Sequence, residues 1–110
     1  MSRIPQVSVS EVADLLAGGA ALLDVRESFE WEAGHAPDAS HRPMGELTLD
    51  GLPEGRPLLV VCHVGGRSAA ATEALVRAGV DAVNVAGGMD AWARAGLPVV
   101  TDAGEPGTVV

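Results

Sequence analysis

Leu58-Leu59-Val60-Val61-Cys62-His63-Val64-Gly65-Gly66-Arg67-Ser68 is the stretch that decides the fold, and Ala69 to Gly79 completes it. Its first four residues are an unbroken, partly β-branched apolar run, which suits a strand buried on both faces. From Ser68 the chain is Ala-rich, carries Leu75 and Val76 on one side and stops at Gly79, which predicts a helix. Between the two stands the only cysteine of the chain, followed by two glycines and an arginine. A strand-loop-helix turn aims several backbone N–H groups and the positive end of a helix at one point. A thiolate held there is stabilised and becomes a better nucleophile. The loop reads as an active site with Cys62 as its nucleophile. The opposing reading, a buried inert thiol, fits poorly with paired glycines directly before a helix start.

Outward from this stretch, short apolar runs alternate with helical patterns. Ser8-Val9-Ser10-Glu11 is a capping-box pattern, and Val12, Leu15 and Leu16 follow on one helical face before Gly18-Gly19. Ala20 to Val25 predicts a buried strand ending in Asp24-Val25-Arg26-Glu27. Asp24 and Arg26 are expected to pair with each other, because buried charges persist when partnered. Glu27 to Ala33 reads as a short acidic helix bearing Phe29 and Trp31, closed by Gly34. His35 lies in the turn ended by Pro37, where a backbone-tying role is favoured over a general base. His41 is expected at the surface or at a strand edge. Met44 to Asp50 holds a turn of helix, and Gly51 to Pro57 is a loop. Ala82 to Ala86 predicts a further buried strand, and Met89 to Ala95 a helix bearing Trp92, stopped by Gly96-Leu97-Pro98. Thr101 to Val110 shows no periodicity and is expected to form a loose tail.

Strands alternating with helices imply right-handed crossovers and a parallel sheet covered on both faces, an α/β architecture. Ligands bind such sheets beyond the carboxyl ends of the strands, which is where Cys62 falls.

The composition narrows the class of function. A chain of 110 residues is expected to form one domain. Its 47% apolar and 20% charged residues are ordinary for a globular protein. One Phe and two Trp leave the core to small aliphatic side chains. A formal charge of −8 argues against nucleic acid or an anionic membrane surface as partner. All seven basic residues are arginine, so no lysine Schiff base is available. No run approaches the roughly 20 apolar residues needed to span a bilayer. Met1-Ser2-Arg3 is not followed by the apolar run of a signal peptide. A lone cysteine cannot form an internal disulfide, which fits a reducing cytoplasm. His35, His41 and His63 lack metal-ligand spacing, so no metal and no cofactor is expected.

Three blocks of the sequence resemble the signatures of rhodanese-like domains. Asp24-Val25-Arg26-Glu27 with Glu30, Gly34-His35-Ala36-Pro37 and Ala39 resembles the first. Cys62-x-x-Gly65-x-Arg67-Ser68 resembles the active-site loop. Val85-Ala86-Gly87-Gly88-Met89 with Ala91-Trp92 and Gly96-Leu97-Pro98-Val99 is similar to the closing signature. The blocks lie in family order over about residues 7–99; the tail and the Met44–Pro57 segment fall outside them. The resemblance implies a three-layer fold with a central five-stranded parallel sheet and helices on both faces. For active members it implies sulfane-sulfur transfer through a cysteine persulfide. It also implies that the Gly-His and Gly-Gly…Trp signatures are largely architectural.

On that reading Cys62 attacks the outer sulfur of thiosulfate or a persulfide donor, and a thiol or cyanide accepts the sulfur; a protein acceptor is a further option. Backbone N–H groups of the loop stabilise the R–S–S⁻ charge without a metal. Gly65 and Gly66 permit the necessary backbone angles, and His63 and Val64 at the outer edge shape substrate preference. Arg67 has two compatible roles open to it, attracting an anionic donor or fixing the loop through a nearby acid. Ser68 completes the loop, with Asp24, Arg26 and His35 as structural support. Cysteine phosphatases and arsenate reductases use a related cradle, but with five residues between cysteine and arginine where this chain has four, His63 to Gly66. A thioredoxin-type site needs a second cysteine, which is absent. A non-catalytic binding module on the same fold is the remaining alternative, and such modules usually lose the cysteine.

Overall fold

The computed structural model describes residues 4–110. Met1-Ser2-Arg3, where a leader pattern was sought, lie outside the described residues. Five strands, β1 (Gln6–Val7), β2 (Ala21–Asp24), β3 (Ala39–His41), β4 (Leu58–Val61) and β5 (Ala82–Val85), form one sheet in the order β1-β5-β4-β2-β3, every neighbouring pair parallel. Four helices, α1 (Val9–Ala17), α2 (Ser28–Ala33), α3 (Gly66–Arg77) and α4 (Gly88–Arg94), and a 3-10 turn over Met44–Glu46 connect and cover it. This is the α/β sheet with helices that the sequence implies.

The central strand shows how the pattern becomes packing. All four residues of β4 are buried, and strand alternation sends them to opposite sides. Leu59 and Val61 join Val12, Leu22, Val83, Val85, Met89 and Trp92 in the core beneath α1 and α4. Leu58, Val60 and Cys62 join Leu23, Val25, Ala71, Leu75 and Ala82 in the core beneath α3. Each buried Leu or Val side chain contributes about 1.5–3 kcal/mol, so the strand is anchored from both sides.

The order of strands also positions the site. The chain moves one way across the sheet from β1 to β2 to β3, and the other way from β3 to β4 to β5. Right-handed crossovers therefore place the connections of the two halves on opposite faces. β2 and β4 are adjacent but send their chains to different faces, which opens a crevice at their carboxyl ends. The loop after β2 leads to α2, and the loop after β4 carries Cys62.

Three local readings are revised. The edge strands β1 and β3 were not visible in the sequence pattern, although His41, which ends β3, does lie at a strand edge as expected. Helix α3 begins at Gly66 and not at Ser68, so both Arg67 and Ser68 lie in its first turn. The tail, expected to be loose, is tied down. Val100 bridges His35 and Pro106 in antiparallel fashion, and the Thr108 N–H donates to Ala33 O at 2.9 Å. The physical reason is the end of α2, whose last carbonyls need partners. At Gly34 a Cβ would lie 2.6 Å from the Thr108 backbone, so the two segments are in close contact there. Asp102 accepts from Trp31 Nε1 at 3.2 Å, and the Trp31 ring stacks with both His35 (3.5 Å) and His41 (4.8 Å).

Candidate active site

Cys62 follows β4 directly, and its Sγ points back under the loop. The Gly65 N–H donates to Sγ at 3.1 Å and the Ser68 hydroxyl at 3.2 Å. Gly65 adopts φ +110°, a left-handed angle open to glycine, and so turns its N–H toward the sulfur. The residue is only 1% exposed. Burial on its own pushes the thiol up. The Ser68 hydroxyl and the N–H groups of Ser68, Gly65 and Arg67 outweigh it, and the net direction is down, toward thiolate.

A second layer holds the loop in this shape. Met89 N–H donates to Cys62 O at 2.8 Å and Asp90 N–H to His63 O at 2.9 Å. These carbonyls are thus drawn toward the start of α4, away from the sulfur. Gly88 makes the approach possible: it sits at φ +59°, and a Cβ there would lie 2.5 Å from both Cys62 O and His63 O. From the other side, buried Asn84 of β5 reaches Gly65 O at 3.5 Å and Gln6 of β1 at 3.2 Å.

Across the crevice, Arg67 pairs with Glu30 of α2 through two bonds of 2.8 and 2.9 Å. The Glu30 side chain is 7% exposed and that of Arg67 39%. The Arg67 hydrogen bonds hold the Glu30 carboxyl down at about 2, against the opposing effect of burial. Behind this pair lies Asp24–Arg26, both 0% exposed and joined at 2.8 Å. Arg26 also donates to Gly34 O at 2.8 Å, fixing the far end of α2. Alternating charges therefore run from the sheet to the sulfur: Asp24, Arg26, Glu30, Arg67, Cys62.

The structure brings together Cys62, His63, Val64, Gly65, Gly66, Arg67 and Ser68 in one turn. Asp24 and Arg26 stand behind it as the expected pair. His35 lies away from the sulfur, its Nδ1 3.0 Å from Trp31 O and its main chain on Val100, so it serves the α2–tail junction. Of the two roles open to Arg67, loop fixing is the one the geometry displays. Sequence reasoning missed Glu30 as its partner, Asn84 and the contact made by Gly88. Asn84 had a signal, a lone amide in an otherwise apolar strand; the Glu30–Arg67 pair, 37 residues apart, had none.

A cysteine held toward thiolate in an N–H-lined turn, set at the switch point of a parallel sheet, forms a cradle suited to a negative sulfur. Comparison with known proteins narrows this to a family. The profile of the family described as "Rhodanese-like domain" matches residues 8–95. The chain is 37% identical over 113 residues to the Arabidopsis thaliana protein "Thiosulfate sulfurtransferase 16, chloroplastic", covering 88% of this chain and 94% of that one. A rhodanese-related protein from Thermoplasma volcanium superposes with a TM-score of 0.80 at 32% identity, over 89% of this chain and 99% of the other. A rhodanese-like domain protein from Staphylococcus aureus does so with a TM-score of 0.73 at 33% identity, over 81% and 91%. The chain belongs to the rhodanese-like domain family. No helix among the described residues is long and apolar enough to cross a membrane.

Proposed function

We propose that the protein is a sulfurtransferase that moves sulfane sulfur from thiosulfate or a persulfide to a thiol or cyanide through a persulfide on Cys62. The observation that carries this reading is the Cys62 Sγ, held between the Gly65 N–H and the Ser68 hydroxyl at the start of α3. The Cys62 thiolate attacks the outer sulfur of the donor, the donor S–S bond breaks, and the leaving group departs with the electron pair. The new terminal sulfur carries the charge, and the N–H groups of Gly65, Arg67 and Ser68 offset it. Gly66 is exposed, and a Cβ there would meet no atom within 4 Å, so the loop is open to solvent at that point. His63 and Val64 form the rim that a donor or acceptor meets first.

The short spacing from Cys62 to Arg67 and the near-complete burial of Sγ favour a single transferred atom. A phosphoryl group with three equatorial oxygens needs a wider cradle. No cofactor enters the chemistry. A free thiol of this kind works in a reducing compartment such as the cytoplasm. The test is thiocyanate formation from thiosulfate and cyanide. The wild type should turn over and Cys62→Ser should not; full activity in Cys62→Ser would refute the assignment, and Cys62-dependent release of phosphate from an aryl phosphate would favour the phosphatase reading.

A further inference from the structure

The charges around the sulfur bear on which donor the site accepts. Arg67 is the one permanent cation between Cys62 and Ser68, and each of its two terminal nitrogens donates to a Glu30 oxygen. The pair is neutral as a unit. Glu27, exposed at the N-cap of α2, adds a further carboxylate, so Glu27, Glu30 and Arg67 together carry one net negative charge.

No other described arginine hydrogen-bonds to or pairs with the Cys62–Ser68 loop. Arg26 is buried against Asp24, while Arg77 and Arg94 pair with Glu73 and Asp90 on their own helices. Arg42 is turned to Asp50 O and Gly51 O, and Arg56 to Pro53 O and Gly55 O. There is no lysine, and the whole chain carries −8.

Backbone N–H groups can stabilise one negative sulfur at Sγ, but nothing here offers net positive charge to a distal sulfonate. Thiosulfate is a dianion and leaves as a dianion, sulfite. A thiol persulfide reaches the site neutral or as a monoanion on its transferred sulfur, and leaves as a thiol. From this we infer that the preferred donor is the persulfide of a thiol and that thiosulfate is a poor substrate. The inference rests on the sulfur-transfer reading above.

In the preferred reaction the Cys62 thiolate attacks the terminal sulfur of R–S–SH. The S–S bond breaks, and R–S⁻ leaves with the electron pair and takes the proton. The products are Cys62–S–S⁻ and R–SH. No oxidant or reductant is consumed. Thiosulfate follows the same path with sulfite as leaving group, but it must bring two negative charges past Glu27 and Glu30.

The experiment compares cysteine persulfide with thiosulfate as donors to the wild-type chain, by kcat/KM, at low and at high ionic strength. The persulfide should be favoured by about tenfold or more, in the range that field effects on a charged substrate produce. Salt should raise kcat/KM for thiosulfate several-fold, because screening weakens the repulsion, and should change the persulfide value by less than about twofold. In His63→Arg, which sets a permanent cation beside Cys62, the ratio of thiosulfate to persulfide efficiency should rise by about tenfold. Thiosulfate equal or superior at low salt, or a thiosulfate rate indifferent to salt, overturns the inference while leaving sulfur transfer intact. Failure of both donors to load Cys62 overturns the sulfur-transfer reading itself, and the inference with it.

Discussion

Replacing Glu30 with glutamine isolates the ion pair that spans the crevice. The carboxylate is 7% exposed, and two charge-assisted bonds from Arg67 hold it at about 2 where an ordinary glutamate stands at 4.5. The folded state therefore favours the ionised form. That contribution is complete above 4.5 and is lost as the pH falls toward about 2. Taken at face value the depression is worth about 3 kcal/mol at neutral pH. Arg67 is 39% exposed and screened by water, which reduces the figure to about 2 kcal/mol. Glutamine keeps the shape and an acceptor but removes the charge. Urea unfolding at neutral pH should thus show Glu30→Gln less stable by about 2 kcal/mol, a large share of what such a domain has to lose. Below 4.5 the wild type should lose this advantage, and the two stability curves should converge near a pH of about 2. Sulfur transfer from cysteine persulfide should also fall, because the released Arg67 no longer fixes the first turn of α3. Parallel curves across the acid range, or a difference below about 0.5 kcal/mol at neutral pH, would refute the argument.

Other outcomes follow from the same geometry. In Gly88→Ala the new methyl meets Cys62 O and His63 O at 2.5 Å, so stability should fall by more than about 2 kcal/mol and sulfur transfer should collapse, as seen by thermal melting and thiocyanate formation. Ser68→Ala removes the hydroxyl that donates to Sγ at 3.2 Å; the midpoint of Cys62 alkylation against pH should lie below an ordinary cysteine in the wild type and move upward in the variant. An unchanged midpoint would show that the hydroxyl does not stabilise the thiolate. Deleting residues 101–110 removes the Thr108 and Asp102 contacts to Ala33 and Trp31 and should lower the melting temperature by several degrees, roughly the effect of about 1 kcal/mol; an unaltered melting temperature would restore the loose tail.

What was legible in the sequence follows the reach of local signals. The β4 run, the Ala-rich helix after it and the capping box at Ser8 are patterns that neighbouring residues complete, and each is present, with the helix starting two residues earlier than its pattern put it. The Asp24–Arg26 pair was legible for the same reason, two residues apart at a strand end. β1 has two residues and β3 carries Ser40 and His41 at a sheet edge, so neither is long or apolar enough to show a period. Contacts made by distant segments were hidden. Nothing in Gly88 announces that it rests on the carbonyls of Cys62 and His63, and nothing in Thr108 announces Ala33. The loop's shape could be read because cysteine, glycines and helix start are contiguous. Its support could not, because Glu30, Asn84 and Gly88 come from three other elements.

The central claim is that Cys62 carries sulfur. Intact-mass measurement of the protein after mixing with cysteine persulfide or thiosulfate tests it most directly. The wild type should gain the mass of one sulfur atom, and cyanide or a small thiol should remove it; Cys62→Ser should gain none. A wild type that stays at its original mass with either donor, or a Cys62→Ser variant that takes up sulfur as the wild type does, would contradict it.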